Sequence, residues 1–317
     1  MFNREAIESA QAIVRAAMPP TPQQRWPLLE RELGAQVWVK HENHTPTGAF
    51  KIRGGLVYFD ALREREPSCR GVISATRGNH GQSIGFAAAR HAIAATLVVP
   101  HGNSVEKNAA MRALGVELVE HGADFQAARE HAERLAEQRG LTMVPSFHDD
   151  LIRGVATYWV EFFEAAQPDV VYVPIGLGSG ICACAAGRAH TGARTRIVGV
   201  VSAHATAYLD SYRADRPIEA PATTRLADGM ACRVPEPRAL EIIRREVEDI
   251  VAVSDAEVAA AMRLLFACTH NVAEGAGAAA LAAALQQRDG LRGRSVGVTI
   301  SGGNVDTALY AEVLAGC

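Results

Sequence analysis

Lys51 stands in the run His44-Thr45-Pro46-Thr47-Gly48-Ala49-Phe50-Lys51-Ile52-Arg53-Gly54-Gly55, among phenylalanine, alanine, isoleucine and paired glycines. Those neighbours suit an amine held in an apolar, glycine-shaped pocket better than a solvated surface charge. Desolvation disfavours the ammonium form, lowers the pKa and leaves a nucleophile able to condense with a carbonyl group. Alone, the run is equally compatible with an ordinary exposed lysine.

Three further motifs, far apart in the chain, tilt that balance. Ser74-Ala75-Thr76-Arg77-Gly78-Asn79-His80-Gly81-Gln82 lies between a strand pattern and a helix pattern. Hydroxyl, amide and backbone N–H groups at a helix start make an anion site suited to a substrate carboxylate, although Thr and Asn also serve as ordinary caps. Thr76, Arg77, Gly78, Asn79 and His80 are therefore candidate substrate contacts. Asn79 is the choice for a polar contact with a cofactor ring, and His80 serves equally well as a loop brace. Val173-Pro174-Ile175-Gly176-Leu177-Gly178-Ser179-Gly180-Ile181 repeats the strand, glycine loop and helix order. Its backbone can approach a phosphate closely, yet it lacks the Gly-Lys-Ser/Thr end of a P-loop and the spacing of a dinucleotide fingerprint. Thr299-Ile300-Ser301-Gly302-Gly303-Asn304 ends the last strand pattern with small residues that leave room for a flat ring, with the Ser301 hydroxyl available to a ring nitrogen.

Short β-rich runs alternate with helical patterns and must position these groups. Strands are expected at 37–39, 71–74, 95–99, 117–119, 142–144, 170–174, 196–201, 249–253 and 295–300. Helices are expected at 82–90, 105–114, 125–138, 154–166 and 255–269, with an amphipathic one near the N-terminus presenting Ile7, Ala10 and Val14 on one face. Near-continuous Val/Ile runs joined through helices imply parallel strands buried on both faces, hence an α/β class. Residues 203–237, interrupted by prolines 217, 221, 235 and 237, read as one long connection. The motif map suggests a smaller unit at 44–147 inserted in a larger one formed by 1–43 and 148–317.

The 317 residues are 48% hydrophobic and 21% charged, with a formal net charge of -3 and scattered Lys and Arg. That composition suits a globular chain and gives nucleic-acid binding little electrostatic support. No apolar run is long enough to span a bilayer, and charges in the first seventeen residues exclude a secretory signal. Cysteines 69, 182, 184, 232, 268 and 317 show no zinc spacing, so reduced cytoplasmic thiols are expected.

Together the four motifs resemble the fold type II pyridoxal 5'-phosphate (PLP) enzymes, specifically the serine/threonine dehydratase, or ammonia-lyase, group. The likeness includes Lys40-His41-Glu42-Asn43, Arg225-Leu226-Ala227-Asp228-Gly229 and Glu274-Gly275-Ala276-Gly277-Ala278 and runs over nearly the whole chain. It implies two domains, each a mainly parallel sheet flanked by helices in the tryptophan synthase β-like arrangement. It also implies PLP as cofactor, with Lys51 forming the Schiff base and Phe50 against one ring face. Asn79 would meet the ring hydroxyl, while Gly176, Leu177, Gly178, Ser179 and Gly180 would cradle the phosphate. Gly229 would line the opposite face, Glu274 would stand as a nearby carboxylate, and Ser301 would face the ring nitrogen.

The expected reaction is dehydration and deamination of a 3-hydroxy amino acid, by default L-threonine or L-serine, with phenylserine and 3-hydroxyaspartate also open. Its product is a 2-oxo acid plus ammonia. A hydroxyl rather than a carboxylate at the ring nitrogen does not hold a proton there, so prompt loss of a β leaving group is favoured over a long-lived carbanion.

The chain departs from the family pattern in three places. Ala49 replaces a serine. Arg77 stands where the related racemases carry a serine base, and a guanidinium is a poor base, which weakens racemisation. Val201 and Ser202 stand where a metal-site glutamate is usual, so no metal is expected. The same resemblance implies a homodimer or other homo-oligomer, and no feedback domain is expected after Ser301. β-Replacement, racemisation and non-catalytic amino-acid binding remain the competing readings.

Overall fold

Two sheets carry the chain in this computed structural model, which describes residues 2–316. The path opens with α1 (Arg4–Arg15), capped by the Asn3 side chain accepting from Ala6 N, with Ile7, Ala10 and Val14 buried. There follow β1 (Gln23–Arg25), α2 (Pro27–Leu33) and β2 (Gln36–His41), and after a 3-10 turn at Glu42–His44 comes α3 (Lys51–Arg65). The next stretch alternates regularly: β3 (Val72–Ala75), α4 (Asn79–Arg90), β4 (Ala95–Val99), α5 (Val105–Ala113), β5 (Glu117–Glu120), α6 (Phe125–Arg139) and β6 (Thr142–Met143).

Beyond it lie α7 (Asp149–Ala165), β7 (Val170–Pro174), α8 (Ser179–Thr191), β8 (Arg196–Ser202) and α9 (Ala207–Ala214). The chain ends with α10 (Pro237–Glu246), β9 (Asp249–Val253), α11 (Asp255–Thr269), α12 (Gly275–Gln286), β10 (Ser295–Ile300) and α13 (Thr307–Ala315).

The larger sheet has the order β1-β2-β10-β7-β8-β9 and is parallel except for the antiparallel edge strand β1. The smaller sheet, β5-β4-β3-β6, is parallel throughout. Strands β3 and β4 are buried at every position, as a sheet covered by helices on both faces demands. α12 is apolar all round and buried from Gly275 to Ala284, which makes it a core helix. Because β10 returns to lie between β2 and β7, the carboxyl ends of these three strands open side by side, where open α/β sheets take their ligands.

Several expected boundaries shift. α7 begins at Asp149 rather than 154, because the His148 side chain accepts from Asp150 N and two aspartates sit favourably in the first turn. α4 begins at Asn79 rather than 82. Residues 203–237 are not one unbroken connection: Ala207–Ala214 is helical, burying Tyr208 and Leu209, and the prolines lie outside that helix. Of the cysteines, 69, 182, 184, 232 and 268 are free, and Cys317 lies outside the described residues.

Candidate active site

Lys51 opens α3, directly after Phe50 at the helix cap. Lys51 is partly buried, and its amine donates to Ser179 Oγ at 2.9 Å and stands 4.9 Å from the Phe50 ring centroid. Burial pushes its pKa down to about 8, with Glu274 pulling weakly the other way. Ser83 Oγ donates to the Lys51 carbonyl (2.6 Å), fixing the first turn of α3 against α4.

Hydrogen bonds join the four motifs. Phe50 N donates to Ser301 O (3.0 Å), Ala49 bridges to Gly302, and Gly303 N donates to Gly48 O (2.9 Å). Asn304 donates to both Thr47 O (2.8 Å) and Asn79 Oδ1 (2.9 Å). The Lys51 to Ser179 bond adds the glycine loop, so segments from residues 44, 74, 173 and 299 onward meet at one place.

α8 starts without any side-chain cap. Its cap residue Gly178 has φ 101, a left-handed conformation that favours glycine, and the first-turn N–H groups point at no protein acceptor from that cap. The loop is clamped from behind by Tyr208, whose hydroxyl donates to Leu177 O (2.9 Å) and accepts from Glu236 N (3.0 Å). At Gly180 an added Cβ would stand 3.6 Å from Phe50 Cζ, and at Gly176 it would collide with the Gly229 carbonyl. The glycines thus pack this loop closely against Phe50 and Gly229, and α8 begins with an uncapped N-terminus, the arrangement that holds a phosphate.

On the opposite side, Asn79 Nδ2 donates to Glu274 Oε1 (2.6 Å), so both ends of the Asn79 amide have protein partners. Glu274 stands at the N-terminal cap position of α12 without a side-chain capping bond and is buried, which raises its pKa against the pull of Lys107. Its Oε2 makes no hydrogen bond and lies 3.4 Å from the Lys107 amine, which also pairs with Asp228 at 2.7 Å. These two carboxylates hold the Lys107 pKa above its usual value despite burial. Ser301 Oγ has only a long contact to Ala276 O (3.5 Å) and keeps its hydrogen-bonding capacity.

Within the loop after β3, the Thr76 hydroxyl accepts from Gly78 N (3.0 Å) and Gly81 N (2.9 Å), which commits it to the loop itself. The His80 ring is partly buried near Lys51. Burial first, and the lysine charge second, lower its pKa to about 3, and its Nε2 has no partner. Arg77 is exposed.

Sequence reasoning missed Lys107, which sits in an unremarkable Glu-Lys-Asn run, and the ion cluster beneath Lys51. In that cluster Arg53 bonds Glu42 (2.8 and 3.0 Å), Glu161 (2.8 and 2.9 Å) and Thr157 (3.0 Å), and Lys40 bonds Glu161 (2.7 Å). Two cations and two carboxylates thus balance in the interior, as buried charges must.

The low-pKa amine, the uncapped α8 start, the close-packed glycine loop and the Glu274 oxygen that makes no hydrogen bond fit a planar aldehyde cofactor carrying a phosphate. That geometry suits a PLP-type site at the carboxyl edge of the sheet. The sequence profile of the family described as "Pyridoxal-phosphate dependent enzyme" matches residues 14–302, and the chain belongs to that family.

Its cofactor is pyridoxal 5'-phosphate. Among its relatives, L-threonine ammonia-lyase of Thermotoga maritima is 32% identical over 316 residues, covering 99% of this chain and 78% of that protein. The L-threo-3-hydroxyaspartate ammonia-lyase of a Pseudomonas species is 33% identical over 292 residues, covering 91% of each. The structure of maize serine racemase superposes with a TM-score of 0.89 at 25% identity, covering 99% of this chain and 97% of that one. Among the described residues no helix is long and apolar enough to cross a membrane, and no group of three or more His, Cys, Asp or Glu is placed to hold a metal.

Proposed function

We propose that this chain is a PLP-dependent ammonia-lyase that converts a 3-hydroxy amino acid to a 2-oxo acid and ammonia. The observation that carries this reading is the partly buried Lys51 amine, at reduced pKa, bonded to Ser179 at the uncapped N-terminus of α8. The names of the Thermotoga and Pseudomonas relatives support it.

Lys51, Phe50, Asn79, the loop Gly176-Leu177-Gly178-Ser179-Gly180, Gly229, Glu274 and Ser301 would hold the cofactor. Bound PLP supplies an aldehyde that joins an amine covalently and a ring that draws electrons from Cα. The chain's own part is proton handling and placement. With a pKa near 8, Lys51 Nζ is free base in an appreciable fraction at neutral pH and takes the Cα proton of the substrate. Ser179 Oγ, 2.9 Å away, fixes where that nitrogen sits. Thr76, Gly78, Asn79 and His80 shape the loop that would take the substrate carboxylate at the start of α4. The β-hydroxyl leaves as water, taking up one proton in place of the one removed from Cα, and the resulting enamine tautomerises and hydrolyses in water to the 2-oxo acid and ammonia.

The smaller unit is drawn at 44–147 and the larger at 1–43 with 148–317. Association of like chains and a cytoplasmic setting follow from family analogy and from the free thiols. Light scattering tests the association.

The function is tested with PLP-loaded protein and a panel of serine, threonine, phenylserine and 3-hydroxyaspartate. Ammonia and 2-oxo acid appear in equal amounts from at least one, and Lys51→Ala abolishes both. No 2-oxo acid from any member would return the chain to non-catalytic binding.

A further inference from the structure

We infer that Lys107 is a positioning residue of the cofactor site: by keeping Glu274 a hydrogen-bond acceptor it fixes the direction of the Asn79 amide, so that Asn79 offers an N–H, and not its oxygen, to the ring of bound PLP. This deepens the cofactor reading and rests on Asn79 meeting that ring.

The hydrogen bonds around Asn79 run in one direction. The Thr47 carbonyl can only accept, so the Asn304 amide turns its Nδ2 toward it (2.8 Å). The same Nδ2 gives its second hydrogen to Asn79 Oδ1 (2.9 Å), which turns Asn79 Nδ2 toward Glu274 Oε1 (2.6 Å). One hydrogen of Asn79 Nδ2 is then left without an acceptor among the described residues. This direction holds only while Glu274 accepts. A protonated Glu274 would donate to the amide oxygen instead, and a reversed Asn79 would turn the wrong group to the cofactor.

Burial works toward that reversal, since it favours the neutral form of Glu274. The charged groups that act on this carboxyl are Lys107, Asp228 and Lys51, and of the two cations only Lys107 is within ion-pair distance. Its Nζ stands 3.4 Å from Glu274 Oε2, the oxygen that makes no hydrogen bond, and 2.7 Å from Asp228. An ammonium beside Oε2 occupies the place a carboxyl proton would take. The lysine is itself held in place: its side chain is 7% exposed, and a Cβ on Gly78 would strike its Cδ. Gly78 immediately precedes Asn79 and has φ 154, where glycine is favoured, so the stem of Lys107 packs on the very turn that carries the amide.

The test compares wild type, Lys107→Met, Lys107→Arg, Glu274→Gln and the double variant Lys107→Met/Glu274→Gln. In infrared difference spectra of apoprotein at neutral pH, Glu274→Gln removes a carboxylate band from the otherwise wild-type chain and a protonated-carboxyl band from the Lys107→Met chain. PLP affinity, measured by equilibrium dialysis, falls about tenfold or more in Lys107→Met, and Lys107→Arg keeps it within about threefold. In the Glu274→Gln background the Lys107→Met change lowers it by less than about threefold, because an amide has no proton to gain.

A carboxylate band in both infrared pairs overturns the inference. So does a loss of PLP affinity as large in the Glu274→Gln background as in the wild type, which is what packing alone would give, and so does unchanged affinity in Lys107→Met. If Lys107→Met does not fold, Lys107→Gln, which keeps most of the stem and loses the charge, decides the same comparisons. None of these readouts needs turnover: if they hold while no panel member yields ammonia, the ammonia-lyase reading fails and the positioning role stands.

Discussion

The two flanks of Lys51 are built on different physics. Beneath it, α3 meets α4 and α7 through glycines: a side chain at Gly54 would strike the Leu151 backbone, one at Gly55 would strike Ser83, and one at Gly154 would strike the Arg53 carbonyl. In that close packing the Arg53, Glu42, Glu161 and Lys40 cluster is cut off from water. Across the cleft, by contrast, α5 is tied to the rest by separate polar links. Ser104 Oγ donates to Asp306 (2.5 Å), Glu106 accepts from Thr307 N (2.8 Å), and Lys107 reaches Asp228, which is about a third exposed. Water can replace the second set but not the first. The floor beneath the lysine is therefore fixed on folding, and the links of α5 at Ser104, Glu106 and Asp228 are the more replaceable ones.

Breaking the floor should cost most. Arg53→Ala leaves two carboxylates buried with one lysine, and about 3–5 kcal/mol of unfolding free energy is lost in urea titration. A small loss there would erase the contrast.

Next in size is a pH effect at the lysine that the floor supports. Capture of PLP by apoprotein needs the neutral amine, so its rate climbs about tenfold per pH unit up to about 8 and then levels. The same depressed pKa has a stability signature. Between about 8 and 10.5 the unfolded lysine is still protonated while the folded one is not, so apoprotein stability rises with pH across that window. Lys51→Met lacks both trends. A capture rate still climbing at pH 10 would mean an ordinary lysine.

On the facing side the losses are smaller. Lys107→Met costs about 1–3 kcal/mol, because Asp228 rehydrates and Glu274 accepts a proton. Ser104→Ala, which removes a cap on α5 and the bond to Asp306, costs about 1 kcal/mol. Losses equal to that of Arg53→Ala would make the two flanks alike.

The sheets were largely legible in the sequence because strands buried on both faces write themselves as Val/Ile runs, as in β4 and β7. β1 was not, since Gln23, Gln24 and Arg25 carry no apolar alternation and are a strand only by pairing with β2 at the edge. α9 was hidden by the prolines of its surroundings. Lys51, Ser179, Asn79 and Ser301 stood out because turns that hug a ligand need glycine and small polar residues close by in sequence. Lys107 left no such mark: its partner Asp228 lies 121 positions away, and nothing local reveals that a helix-surface lysine will be enclosed.

The central claim is that Lys51 alone carries the cofactor, and borohydride reduction of PLP-loaded protein followed by peptide mass mapping tests it most directly. The pyridoxyl mass should fall on the peptide containing residue 51 and vanish in Lys51→Ala. The same mass on Lys107, or its persistence in Lys51→Ala, would contradict the account.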